Sequence, residues 1–136
     1  MEFIKSDLLR PGDPTLCAPI DFVKAVRELN PLHQYTTAEE MQSRFTRYFE
    51  SLWRFEYRVI EDGSLIAMMV ITAQDEELET GHIVMFPATA QTLRPGLLSG
   101  GYRWLFKLAK EHKAPFVLVT KTKGMVKEER VIPINI

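Results

Sequence analysis

Seven consecutive apolar residues, Leu65-Ile-Ala-Met-Met-Val-Ile71, constrain this chain more than any other feature. The run falls well short of the roughly 18–20 residues a membrane-spanning helix needs. As a strand it has no polar alternate residues, so both of its faces must be covered. It therefore predicts the centre of a sheet with a packed layer on each side. The preceding residues agree: Phe55, Tyr57 and Val59 alternate with Glu56 and Arg58, and Glu61-Asp-Gly-Ser64 carries the Asp-Gly pair of a tight hairpin.

The rest of the chain supplies the layers. Residues Glu2–Leu8 give a weak first strand around Phe3 and Ile4, followed by a Pro11–Pro14 loop. Pro19 then opens a helix in which Phe22, Val23, Val26 and Leu29 share one face until Asn30-Pro31 stops it. Thr37-Ala-Glu-Glu40 is a capping box, and Met41, Phe45, Phe49 and Leu52 line the helix behind it. The acidic run Asp75–Glu79 reads as a solvated turn, and Gly81–Phe86 as a strand ended by Pro87. A glycine-bearing loop from Leu93 to Gly101 leads into an amphipathic helix over Tyr102–Lys113, with Trp104, Leu105 and Leu108 as core residues. Pro115–Thr120 is a short buried strand and Val131–Ile134 an edge strand, because Pro133 cannot donate a ladder bond. The expected class is α+β (mixed α/β), a mainly antiparallel central sheet flanked by helices, in a single domain over 1–136 with a basic segment at 121–136.

Composition narrows the functional classes. The single cysteine, Cys17, cannot form an intrachain disulfide, and no His/Cys group has metal-ligand spacing, so a reducing compartment and no metal are expected. Near-balance between 17 basic and 18 acidic side chains hides an asymmetry: residues 1–92 hold 8 basic against 15 acidic, and residues 93–136 hold 9 against 3. The basic third fits either an anionic ligand or a surface balanced within the fold. Lys121–Lys127 reads as a solvated basic segment that could touch a phosphate, a nucleic acid or an acidic partner.

In element order, and in Leu97-Leu-Ser-Gly-Gly-Tyr102 after the strand at Gly81–Phe86, the chain resembles a GNAT-type N-acetyltransferase. The family turn has the pattern Gln/Arg-x-x-Gly-x-Gly/Ala; here Gly100 matches, while Leu97 and Tyr102 stand at the first and last positions. The resemblance implies that acetyl-CoA is bound with its pyrophosphate on the amides of Leu98, Ser99, Gly100 and Gly101, where a helix N-terminus favours phosphate. It implies that the strand amides at Val84, Met85 and Phe86 bond the pantetheine arm and polarise the thioester carbonyl. Glu79 and His82 are then the candidates for the base that deprotonates an amine acceptor, on a small molecule or a protein. The family's general-acid tyrosine, carried on a helix after the fifth strand, has no counterpart among the sixteen residues beyond Thr120.

Two expectations follow. One is a GNAT-like acyltransferase that moves an acetyl group from acetyl-CoA to an amine. The alternative is a catalytically inactive GNAT-like protein, a structural or interaction component such as part of a phage virion, with a protein partner or a second copy of itself. The chain should be soluble, without membrane contact, and cytoplasmic or, in the alternative, within a virion.

Overall fold

The structure, a computed structural model, describes residues 1–72, 74–78, 81–123 and 126–134; within 74–78, 81–87, 121–123 and 126–127 only the backbone is described. The elements are β1 (Glu2–Lys5), α1 (Ile20–Leu29), a 3-10 helix (Pro31–Tyr35), α2 (Ala38–Glu50), β2 (Arg54–Glu61), β3 (Ser64–Thr72), β4 (Gln74–Leu78), β5 (Gly81–Thr92), α3 (Ser99–Glu111), β6 (Phe116–Lys123) and β7 (Val126–Pro133). The strands form one seven-stranded sheet in the order β1-β2-β3-β5-β6-β7, with β4 also paired to β5. Every pairing is antiparallel except β5–β6, which α3 connects.

The apolar run behaves as its composition demands. Leu65 to Ile71 are all buried, and they divide between two cores. Met69 and Ile71 join Tyr57, Val59, Val117, Val119, Leu105 and Leu108 beneath α3. Met68 and Val70 face Phe22, Val23, Val26, Met41 and Phe49 of α1 and α2. The hairpin between β2 and β3 turns at Asp62 (φ 51°) and Gly63 (φ 77°), both left-handed as a two-residue turn of this kind requires. At the start of α2 the Thr37 side chain accepts from the Glu40 amide at 3.1 Å, while the Glu40 carboxylate accepts from the Thr36 hydroxyl at 3.0 Å.

Four expectations from the sequence need correction. The acidic run is not a turn: Gln74–Leu78 is a strand, and it continues on β5 the register that β3 begins, so ladder continuity outweighs the charged composition. Pro87 does not end its strand; β5 runs on to Thr92, with Pro87 opposite Leu118 in the parallel ladder. Helix α3 begins at Ser99, not Tyr102, and takes both glycines into its first turn. The basic segment is not a loose tail: β6 reaches Lys123 and β7 returns along it over eight residues, Val126–Pro133.

The first loop is tied down by charges that the period-two pattern did not single out. Arg54 and Glu56 are 0 % and 2 % exposed, and the Arg54 Nε donates to Glu56 Oε2 at 2.7 Å. Arg54 Nη2 also donates to the Asp13 carbonyl at 2.7 Å, and Glu56 accepts from the Thr15 hydroxyl at 2.7 Å. A buried ion pair keeps its charges only when hydrogen bonds satisfy them, and here the loop over residues 10–16 supplies those bonds.

Candidate functional site

The strands β5 and β6 pair over only four positions, Met85–Ala88 with Phe116–Val119. Both then run on, to Thr92 and Lys123, beyond the last shared pair. At this end of the sheet a cleft of about 340 Å³ is lined by Thr89, Ala90 and Gln91 of β5 and Thr120 of β6, with Leu32, His33 and Phe45 across from them. On its other edge this stretch of β5 stays paired to β3, Ala67–Val70 opposite Thr89–Thr92. Backbone groups of β5 that point toward β6 are thereby open to an extended ligand, because a strand edge without a neighbour still needs hydrogen-bond partners.

Six residues separate the end of β5 from the N-terminus of α3. Leu98 at its N-cap gives no side-chain bond, and the Tyr102 amide is the first to find a carbonyl, that of Leu98 at 3.0 Å. The amides of Ser99, Gly100 and Gly101 are thus the unfilled donors of the first turn. Ser99 is exposed, and the helix dipole adds partial positive charge there. The donor set fits a diphosphate.

The glycines in this turn also have a packing role. A Cβ on Gly101 would lie 2.9 Å from Tyr57 Cδ1, and one on Gly100 would lie 3.0 Å from the Tyr57 hydroxyl. The Tyr57 hydroxyl donates to the Leu97 carbonyl at 3.3 Å, propping the loop beneath the helix. Burial pushes the Tyr57 phenol up, against the opposing charge of Arg103. Tyr102, which takes the last position of the family turn pattern, packs its ring on the core under α3, and burial raises its phenol as well.

The sequence candidates are distributed as follows. Leu98, Ser99, Gly100 and Gly101 are together at the start of α3. Val84, Met85 and Phe86 lie in β5, but Met85 and Phe86 are in the segment paired to β6, and the open edge begins three residues later at Thr89. His82 is near the other end of β5, seven residues before Thr89, roughly 23 Å at the rise of a strand. Glu79 lies outside the described residues. Arg94, in the basic loop, is taken by Glu61 at 2.6 Å, a bond that holds the Glu61 carboxyl below its usual range.

His33 was not singled out by the sequence. It stands in a Pro-Leu-His-Gln-Tyr segment with no motif around it, and only the fold brings it to Thr89 and Thr120. Among the described residues no three His, Cys, Asp or Glu side chains are grouped to hold a metal, and no helix is long and apolar enough to cross a membrane.

No protein-family model matches the chain, and no curated protein matches it either. Solved structures do. A predicted acetyltransferase from Clostridium acetobutylicum, crystallised with acetyl-CoA, superposes with a TM-score of 0.58 at 19 % identity, over 90 % of this chain and 81 % of that one. A conserved protein of unknown function from Enterococcus faecalis V583, named a probable N-acyltransferase, gives 0.57 at 13 % identity over 90 % of this chain, which spans only 30 % of its length. At these identities the likeness is one of fold: the chain has a GNAT-like acetyltransferase fold.

Proposed function

We propose that this chain is an acyltransferase that moves an acetyl group from acetyl-CoA to an amine. The observation that carries the reading is the parallel β5–β6 ladder that stops after four pairs and gives way to a cleft at the end of the sheet from which α3 starts. Acetyl-CoA supplies the acyl group as an activated thioester. The amides of Ser99, Gly100 and Gly101 hold its diphosphate, with the α3 dipole favouring the negative charge. The open edge of β5 at Thr89–Gln91 orients the pantetheine arm by main-chain bonds, and an amide of that edge polarises the carbonyl. This moves the strand contact from Val84–Phe86 toward the C-terminal end of β5, where the backbone is not committed to β6.

A second reading, a GNAT-like interaction component without catalysis, is favoured by one fact. Packing against Tyr57 accounts for both Gly100 and Gly101 without any ligand.

Calorimetry with acetyl-CoA separates the two. The acyltransferase reading expects binding in the wild type and its loss, tenfold or more on the scale of about 1.4 kcal/mol per factor of ten, in Ser99→Glu. That side chain is exposed, so the variant places a negative charge on the phosphate site without disturbing the core. No binding by the wild type at about millimolar acetyl-CoA, a level corresponding to roughly −4 kcal/mol, would leave the interaction component as the surviving reading, and light scattering would then look for self-association.

A further inference from the structure

We infer that His33 takes the proton from the acceptor, and that the cleft accepts a primary amine carried on a small apolar body. The inference rests on the acyl-transfer reading and adds to it an acceptor class and a residue. His33 lies in the 3-10 helix between α1 and α2, and it lines two adjacent cavities, of about 340 Å³ and 200 Å³. Leu32 and Phe45 are shared by both. The side formed by Leu32 and Phe45 suits a hydrocarbon or aromatic body, and Thr89, Gln91 and Thr120 opposite make the rest of the larger cleft polar.

The position of the imidazole is fixed from several sides. Pro31 sets the first residue of the turn, the Asn30 side chain accepts from the Leu32 amide at 3.0 Å, and the His33 amide donates to the Asn30 carbonyl at 3.0 Å. Arg27 Nε donates to the Thr36 carbonyl at 2.5 Å, and Gln34 returns a bond to the Arg27 carbonyl, locking the turn onto α1. The ring meets Phe45 edge to face at 6.2 Å. A base held on a short, braced turn is better placed for proton transfer than one on a mobile loop.

An ammonium has no lone pair to offer a thioester. In the proposed step its N–H bond breaks, the electron pair remains on the amine nitrogen, and the proton bonds to the His33 imidazole, which then returns it to water. Among the described residues, the charged and titratable groups around the turn include Arg27 of α1, Tyr35 beside it, and Glu40 and Arg44 of α2, with Glu40 bonded to Thr36. Among the described residues no carboxylate lines either cavity. His82 is roughly 23 Å along β5 from Thr89 at the rise of a strand.

The test uses phenethylamine as acceptor and His112→Gln as the control histidine variant. In the wild type, addition of phenethylamine shifts the NMR resonances and the titration of the His33 ring. In His33→Gln, kcat/KM for the amine falls about 100-fold or more and the rising limb of its pH profile is lost in the imidazole range, about pH 5–8. Acetyl-CoA affinity meanwhile stays within about twofold, because the diphosphate site is untouched. His33 resonances that ignore the amine, or a rising limb that persists in His33→Gln, overturn the assignment while leaving acyl transfer in place. Failure of the wild type to bind acetyl-CoA or to acetylate phenethylamine overturns this inference, and failure to bind acetyl-CoA removes the acyl-transfer reading with it. The ring titration is read on the wild type, so it decides the matter even if the glutamine variant does not fold.

Discussion

Gly101 and Tyr57 occupy adjoining space so closely that a single added carbon on Gly101 would lie 2.9 Å from the ring's Cδ1 and 3.1 Å from its Cε1. The contact seats the first turn of α3 on β2 and thereby sets where its amides stand. Met69 closes the same space from β3, with its Cε 3.3 Å from that carbon.

Gly101→Ala is therefore expected to destabilise the fold. Overpacking at a buried ring costs about 1–3 kcal/mol, against a gain of up to about 1 kcal/mol from replacing a helical glycine. Gly100→Ala meets only the outer end of the ring, so its effect is small, loss of the Tyr57–Leu97 bond being offset by the same helical gain. Urea midpoints of the two variants check this; equal midpoints would mean that Tyr57 yields at both positions.

The buried pair Arg54–Glu56 should be costly to break from one side. Arg54→Ala leaves the Glu56 carboxylate in a site 2 % exposed, and Glu56→Ala leaves the guanidinium uncompensated; each is expected to cost about 3–5 kcal/mol. The double variant should cost clearly less than the two together. Denaturant unfolding of the three variants measures the coupling, and strict additivity would show that the pair does not act as a unit.

Cys17 should be inert in the native protein. It is 0 % exposed, and burial, with Glu56 nearby, pushes its thiol well above the ordinary range. At pH 8 a thiol reagent is expected to modify it about 100-fold or more slowly than in urea, as the thiolate is the reactive form and access needs opening of the fold. Equal rates would contradict the burial of Cys17 with Phe22, Val23 and Val26 of α1.

Glu61 and Arg94 give a pH-dependent contact on the surface. The hydrogen bond from Arg94 keeps the Glu61 carboxyl below its usual range, so its folded value lies under the unfolded one. The contribution of the pair is present above the ordinary carboxylate range and is lost as pH falls through the folded value. Arg94→Ala should return Glu61 upward in an NMR titration, with little change in thermal midpoint, because both groups are solvated.

Where one physical signal dominated a segment, the sequence was easy to read. The continuous apolar run, the period-two stretch at Phe55–Val59, the Asp-Gly turn and the two amphipathic helices before them each have a local cause, and all stand in the fold. β4 and the first half of β7 were hidden because Asp75-Glu-Glu77 and Lys127-Glu-Glu-Arg130 look like solvated chain; their pairing partners, distant in sequence or across a hairpin, make them strands. Glu56 was hidden for the opposite reason: charged residues are seldom buried, and nothing in Arg54–Glu61 alone announces the loop that covers them. The glycine-bearing turn could be located from its glycines and its place before a helix, but the cleft could not, since His33, Thr89 and Thr120 meet only after the sheet has formed.

The four-residue ladder between β5 and β6 also has a mechanical side. Along that line the sheet is two panels, β1 to β5 and β6 to β7, sewn by a short seam and strapped by α3. An extended guest lying in the opening would lengthen the stitching on the β5 side, so occupancy and rigidity of the whole sheet rise together. On the proposed function, the gap that takes the ligand thus lies along one of the two shortest seams of the sheet.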